Sequence, residues 1–263
     1  MLFVMISILV FSAPFIWTLV TAIDYKKGKR DQIAWKLPGI LLILLTLGSL
    51  LIQIYLFNKY GFPIFQTTLE TIISLAIPLI VAGVVLLANL LTTFTVGRQM
   101  EKSVHDPKTV NYIALGFAAA LLANSLVAAP TGKKIAFAAS IDQAMANTEN
   151  ADAEEFSVVL VSSERGCLRY NASCRSAPYS NQFFVKNHSG ETKEVQVKIR
   201  ALSGSNKEMK VIDSRIMTLK PNELRLLETE ETSSDSSVWN QYSFETDHRT
   251  VSHQHMVRFR DPS

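Results

Sequence analysis

Charge is missing from four long stretches of this sequence. Residues 2–23, 37–57, 71–94 and 111–129 hold no Asp, Glu, Lys, Arg or His. Each is long enough to cross a hydrocarbon layer of about 30 Å as a helix. Ionisable side chains within such spans mark ion and proton routes, so their absence argues against a proton-coupled transporter. Cysteine is scarce, with two in the chain, Cys167 and Cys174. Their spacing does not suit a zinc site. Neither G-x-S-x-G nor H-E-x-x-H occurs, so no familiar hydrolase or metalloprotease signature is present and an enzyme is not expected. Thr131-Gly132-Lys133-Lys134 resembles the end of a phosphate loop, but the upstream glycine and the preceding strand are missing. No solenoid-type repeat is found. A net charge of +3 is too small to suggest nucleic acid, and no cofactor is implied.

What is there divides into two textures. Up to Ala129 the chain is apolar, with charge confined to short loops; beyond Glu149 it is charged and alternating. Lys26, Lys27, Lys29 and Arg30 follow the first apolar run, whereas a cleaved signal peptide carries its positive residues before it. The loop at 24–36 and the loop at 97–108, with Arg98, Lys102 and Lys108, are basic; the loop at 58–70 has one lysine. Lys and Arg favour the cytoplasmic flank. This alternation predicts an integral membrane protein with both termini, and everything after the fourth span, outside the cytoplasm.

Within the spans, Pro78 predicts a bend whose freed carbonyl needs a partner inside the protein. Gln53, Asn89 and Asn124 are polar; hydrogen bonding between helices is their ordinary role and a pore lining the sharper one. Asp106-Pro107 reads as an N-cap and first-turn pair for the fourth helix. Gly116, Ala119, Ala120 and Ala123 form a small-residue face on that helix, which predicts close packing inside the bundle. Residues 131–155 read as a connector with a short amphipathic helix at 135–145 and an acidic tail.

From Phe156 the periodicity becomes two. Strands are predicted at 156–161, 182–187, 193–202, 210–219, 224–228, 238–245 and 251–260. Val195, Val197 and Ile199 alternate with Gln196, Lys198 and Arg200, as in a half-buried antiparallel strand. Val257 and Phe259 are expected beside them in the core. The fold class expected is therefore an α-helical membrane domain of four transmembrane helices (1–130), an extracytoplasmic connector (131–155) and an all-β, immunoglobulin-like sandwich (156–263). A piece from about Glu155 onward is expected to fold alone.

Candidate sites are few. An extracytoplasmic Cys167–Cys174 disulfide would close a short loop, with free thiols the alternative. Arg165, Arg169, Tyr170, Arg175 and Tyr179 make that region basic and aromatic, either a partner surface or a solvated hairpin tip. Asn171 and Asn187 begin N-x-S sequons. His248, His253 and His255 are the nearest approach to a metal site, set against a packed role for the same rings. The function expected is a membrane-anchored binding or assembly module, an accessory subunit of a cell-envelope complex. Its partners would be the bilayer and another membrane or envelope protein, with homo-oligomerisation open. The alternatives are a channel- or transporter-like protein, or metal handling through the histidines.

Overall fold

The computed structural model describes residues 2–97, 106–148, 155–165, 174, 176–233, 237 and 239–262. The chain forms two compact units. One comprises Met1–Tyr55 and Ile64–Ala136, the other Leu56–Pro63 and Phe137–Ser263.

The first unit is helical. Its elements are α1 (Leu2–Lys26), α2 (Lys36–Tyr60), α3 (Thr68–Thr92) and α4 (Pro107–Ala123), with the start of α5 (Ala129–Thr148). Four helices are long and apolar enough to cross a membrane, the fourth running on from α4 through α5. The stretch expected as a connector is thus helical as far as Thr148. Thr67 caps α3 in a reciprocal capping box with Glu70. Asp106 caps α4 with Pro107 in its first turn, as the sequence predicts.

A π-helical turn, Asn124–Ala128, joins α4 to α5. Here the Ala129 N–H reaches the Asn124 carbonyl, five residues back. The next bond in that register would come from residue 130, a proline without an N–H. The Ser125 carbonyl this leaves free accepts from Gln66 Nε2 at 3.1 Å. Pro78 likewise frees the Ser74 carbonyl in α3, which accepts from Ser125 Oγ at 3.0 Å. The carbonyl freed at each helix irregularity therefore finds a side-chain donor, Gln66 for Ser125 and Ser125 for Ser74.

Asn89 and Asn124 also bond between helices. Asn89 Nδ2 donates to Asn111 Oδ1 at 2.7 Å, and Asn124 Nδ2 to Ser12 Oγ at 3.1 Å. The small-residue face expected on α4 is only partly covered within this chain. Gly116 and Ala119 are exposed, Ala120 and Ala123 are only half-buried, and a Cβ on Gly116 would meet open space. The buried small residues are Ala114 and Ala118, on the stripe shared with Asn111 and Ser125. Small residues make a face smooth. The polar residues, each needing a partner, decide which face turns inward.

The second unit holds two four-stranded antiparallel sheets. In one, β2 (Tyr179–Asn187) pairs with β1 (Phe156–Arg165) on one side and with β6 (Leu224–Leu226) and β7 (Phe244–Thr246) on the other. In the second, β3 (Lys193–Leu202) pairs with β8 (Ser252–Arg260) on one side and with β4 (Glu208–Asp213) and β5 (Met217–Leu219) on the other. Val158, Phe183, Val185, Val195, Val197, Ile199, Leu219 and Phe244 form one core between them. The run expected at 210–219 breaks at Ser214. Its hydroxyl accepts from the Val197 N–H at 2.8 Å and separates β4 from β5.

The outer face of the β1–β2 sheet is buried as well. Phe184 points away from the core, yet it is covered by Phe137 of α5 at 5.8 Å between ring centroids. Phe62 and Tyr60 continue this row of rings. Burial on both faces explains the unbroken apolar runs of β1 and β2, where alternation is lost. At the opposite side, Phe259 was expected in the core but remains 48% exposed, and Val257 is partly buried. The reason is that β8 is an edge strand.

Candidate functional site

Three places bear chemistry. The first lies in the helical unit and was not visible in the sequence. Lys134 is only 1% exposed. Its Nζ donates to Gln53 Oε1 at 2.9 Å and to the Ile64 carbonyl at 2.8 Å. Beside it Ser49 Oγ and Thr131 Oγ1 lie 2.6 Å apart, and Gln53 Nε2 reaches Thr131 Oγ1 at 3.4 Å. Glu70, in the first turn of α3, is the acidic group that acts on this lysine. α5 can bring Lys134 inward because Gly132 lets α1 approach. A Cβ there would sit 2.8 Å from the Val4 Cα. A buried cation needs acceptors, and Gln53 and Ile64 supply them. The signal available in the sequence was Thr131-x-x-Lys134, one helical face, opposite Ser49-x-x-x-Gln53 on another. It is hidden if the helix is ended at Ala129.

The second place is the end of the β1–β2 pair. Arg165 and Tyr179 are directly opposite in the ladder, and the guanidinium lies 4.7 Å from the phenol ring centre. Arg165 Nε is buried and has no hydrogen-bond partner among the described residues. Asn181 is fully buried. Its amide nitrogen donates to the carbonyls of Tyr179 and Phe244 and to Thr246 Oγ1 at 3.1, 3.2 and 2.9 Å, while its Oδ1 has no donor among the described residues. Among them Thr250 Oγ1 has no partner either, although its N–H bonds Ser163 Oγ at 2.9 Å. Arg169, Tyr170, Arg175 and Cys167 lie outside the described residues. Cys174 is buried, and none of the described cysteines is free.

The histidines form the third. His253 Nε2 bonds the Val158 carbonyl at 3.1 Å, and its ring stands edge-on to Phe183 at 5.1 Å. His255 lies nearly parallel to it at 5.5 Å. Burial lowers the pKa of His253 below the ordinary 6.5 and His255 lowers it further, against the opposing effect of the Val158 bond. Among the described residues no group of three His, Cys, Asp or Glu side chains converges as metal ligands, so His248, His253 and His255 are not brought together. His253 is occupied in joining β8 to β1.

The sequon at Asn187 is also placed. Asn187 Nδ2, the atom a glycan would be joined to, is buried and donates to the carbonyls of Glu191, Leu219 and Lys220 at 2.8, 3.3 and 3.1 Å. Folded protein does not present it. In comparisons with known proteins the chain matches no family model, no curated protein and no solved structure.

Proposed function

We propose that the chain is a membrane-anchored binding or assembly module. Its four apolar helices hold an immunoglobulin-like sandwich outside the cytoplasm as an accessory subunit of an envelope complex. The basic loops around Lys26–Arg30 and Arg98–Lys108 support this orientation through the preference of Lys and Arg for the cytoplasmic side.

The observation that carries the reading is Arg165. Tyr179 holds its guanidinium in place. An arginine ordered by an aromatic ring is the kind of residue that anchors an interface. The test is a gentle-detergent pull-down of the full chain. A stoichiometric partner should be retained by wild type and lost with Arg165→Ala. Retention of no partner by wild type, or equal retention by the variant, refutes the reading. A C-terminal reporter active only in the cytoplasm should stay silent; activity overturns the orientation.

Lys134 favours a second reading, transport, because ionisable groups buried among membrane helices commonly serve ion paths. That reading requires purified protein to carry ions in liposomes and Lys134→Met to abolish the flux.

A further inference from the structure

The two sheets are open along one side. β1 and β8 are the edge strands there, and among the described residues no strand pairs with the free edge of either. Proteins guard such edges with short strands, bulges or charge. β1 is bulged between Leu160 and Ser162, and β4 is six residues long with a break in register at Ala201. β5, β6 and β7 have three residues each. β8 has neither shortness nor a bulge and is guarded by charge alone, at Arg258 and Arg260. It runs nine residues in unbroken register against β3.

Between the two free edges is a cleft of about 270 Å³ of mixed polar and apolar lining, formed by Glu155, Phe156, His255, Val257 and Phe259. Two of these, Phe156 and Phe259, are in contact, their rings tilted at 5.1 Å between centroids. Farther along, the bond from His253 to the Val158 carbonyl bridges the gap. The cleft thus lies beside a regular strand edge whose inward side chains, at alternate positions, are half apolar. Its outward side chains are Gln254, Met256, Arg258 and Arg260. Gln254 is bonded to Arg200 and Arg260 to Glu194, but Arg258 makes no ion pair among the described residues.

We propose that β8 is a docking edge for an extended segment of a partner protein. The segment adds as a further strand, its apolar side chains entering the cleft and its acidic ones lying outward against Arg258. Main-chain hydrogen bonds supply the attachment and alternate side chains the selectivity. Charge decides between a foreign segment and a second copy. Ser252–Arg260 contains arginines and histidines but no acid, so self-pairing sets one cationic edge against another, whereas an acidic strand is attracted. This surface is separate from Arg165, and neither proposal rests on the other.

The probe is a fluorescent peptide as long as β8 with alternating valine and glutamate, titrated into the full chain in detergent micelles. A valine–lysine peptide should bind at least about tenfold more weakly. Methylating one of the two alternate sets of peptide nitrogens should abolish binding, because only one set faces the edge. Arg258→Glu, a surface change, should reverse the preference between the two peptides, with an unchanged thermal transition as its folding control. Absence of binding, indifference to charge or indifference to methylation each overturns the proposal. So does a dimer that crosslinks through Met256→Cys, the central residue of β8, since a second copy then occupies the edge.

Discussion

The helical unit and the β unit decide which side of an element faces inward by different means. In β3 of the β unit the decision lies in apolar period. Val195, Val197 and Ile199 are fully buried, while Lys198, between the last two, and Arg200, after them, are exposed. In the helical unit nearly every residue of every face is apolar, so period carries little information. There the facing follows from hydrogen bonds: Asn89 to Asn111, Asn124 to Ser12, Ser125 to Ser74. An apolar face is at no disadvantage against lipid, whereas a polar atom without a partner is. Polar residues thus steer the helices, and apolar residues steer the strands.

The largest effect expected from this contrast is in the β unit. Val197→Asp places a carboxylate at a position with 0% exposure, costing several kcal/mol if it stays unpaired. Thermal unfolding of the full chain followed by circular dichroism should lose the β transition. Gln196→Asp, one residue away on the other face and opposite Arg258 in the ladder, should shift it little. Similar behaviour of the two would mean that period does not set the facing of β3.

A second effect concerns where the β unit begins. Phe184 of β2 is buried by Phe137, so a fragment starting at Glu155 uncovers it. Each apolar side chain uncovered costs about 1.5–3 kcal/mol. Such a fragment should melt well below one that starts at Phe137, or aggregate. Equal melting temperatures would show that the helical cover contributes nothing and that the sandwich stands alone, as the sequence by itself suggests.

That disagreement marks how far the sequence could be read. The division into long apolar helices and alternating strands was legible, as were the Asp106–Pro107 cap and the inward set of β3. What was not legible depends on partners distant in the chain. Phe184 reads as half of an ordinary pair until Phe137 is seen against it. Lys134 reads as loop until the π turn at Asn124–Ala128 carries the helix past Pro130. The small face at Gly116 is conspicuous in the sequence and faces outward, because spacing reveals a stripe and not its partner. Of the site residues, Arg165 and Tyr179 are adjacent as their positions on paired strands require. The three histidines are not gathered, since His253 and His255 stack along one strand while the Thr246 hydroxyl bonds to the His248 carbonyl at 2.8 Å.

A pH titration sharpens the comparison within the β core, where His253 is an ionisable group among apolar neighbours. Its pKa is lowered in the folded protein by burial, and further by His255. The unfolded chain therefore binds a proton first as pH falls below 6.5. Stability from this group is complete above that value and declines below it, levelling once the folded form also protonates. The melting temperature of the β transition should fall between neutral pH and pH of about 5.5. His253→Gln should flatten that slope, whatever it does to the absolute melting temperature. An unchanged slope would remove His253 as its source.

The smallest effect tests the helical unit most directly. If Ser125 is needed because Pro78 frees the Ser74 carbonyl, the two residues must be coupled. Ser125→Ala leaves that carbonyl without a donor and should lower the stability of the helical unit in detergent by about 0.6 kcal/mol, the average for hydrogen bonds between membrane helices, and by no more than about 1.7 kcal/mol. Pro78→Ala restores an N–H four residues after Ser74, so the carbonyl regains a partner within its own helix. In that background Ser125→Ala should cost markedly less. The interaction energy of the cycle, rather than either single value, is the quantity to measure, because substituting proline also alters the unfolded chain. A coupling near zero would mean that the Ser125–Ser74 contact follows from helix packing instead of directing it, and the contrast between the two units would lose its footing.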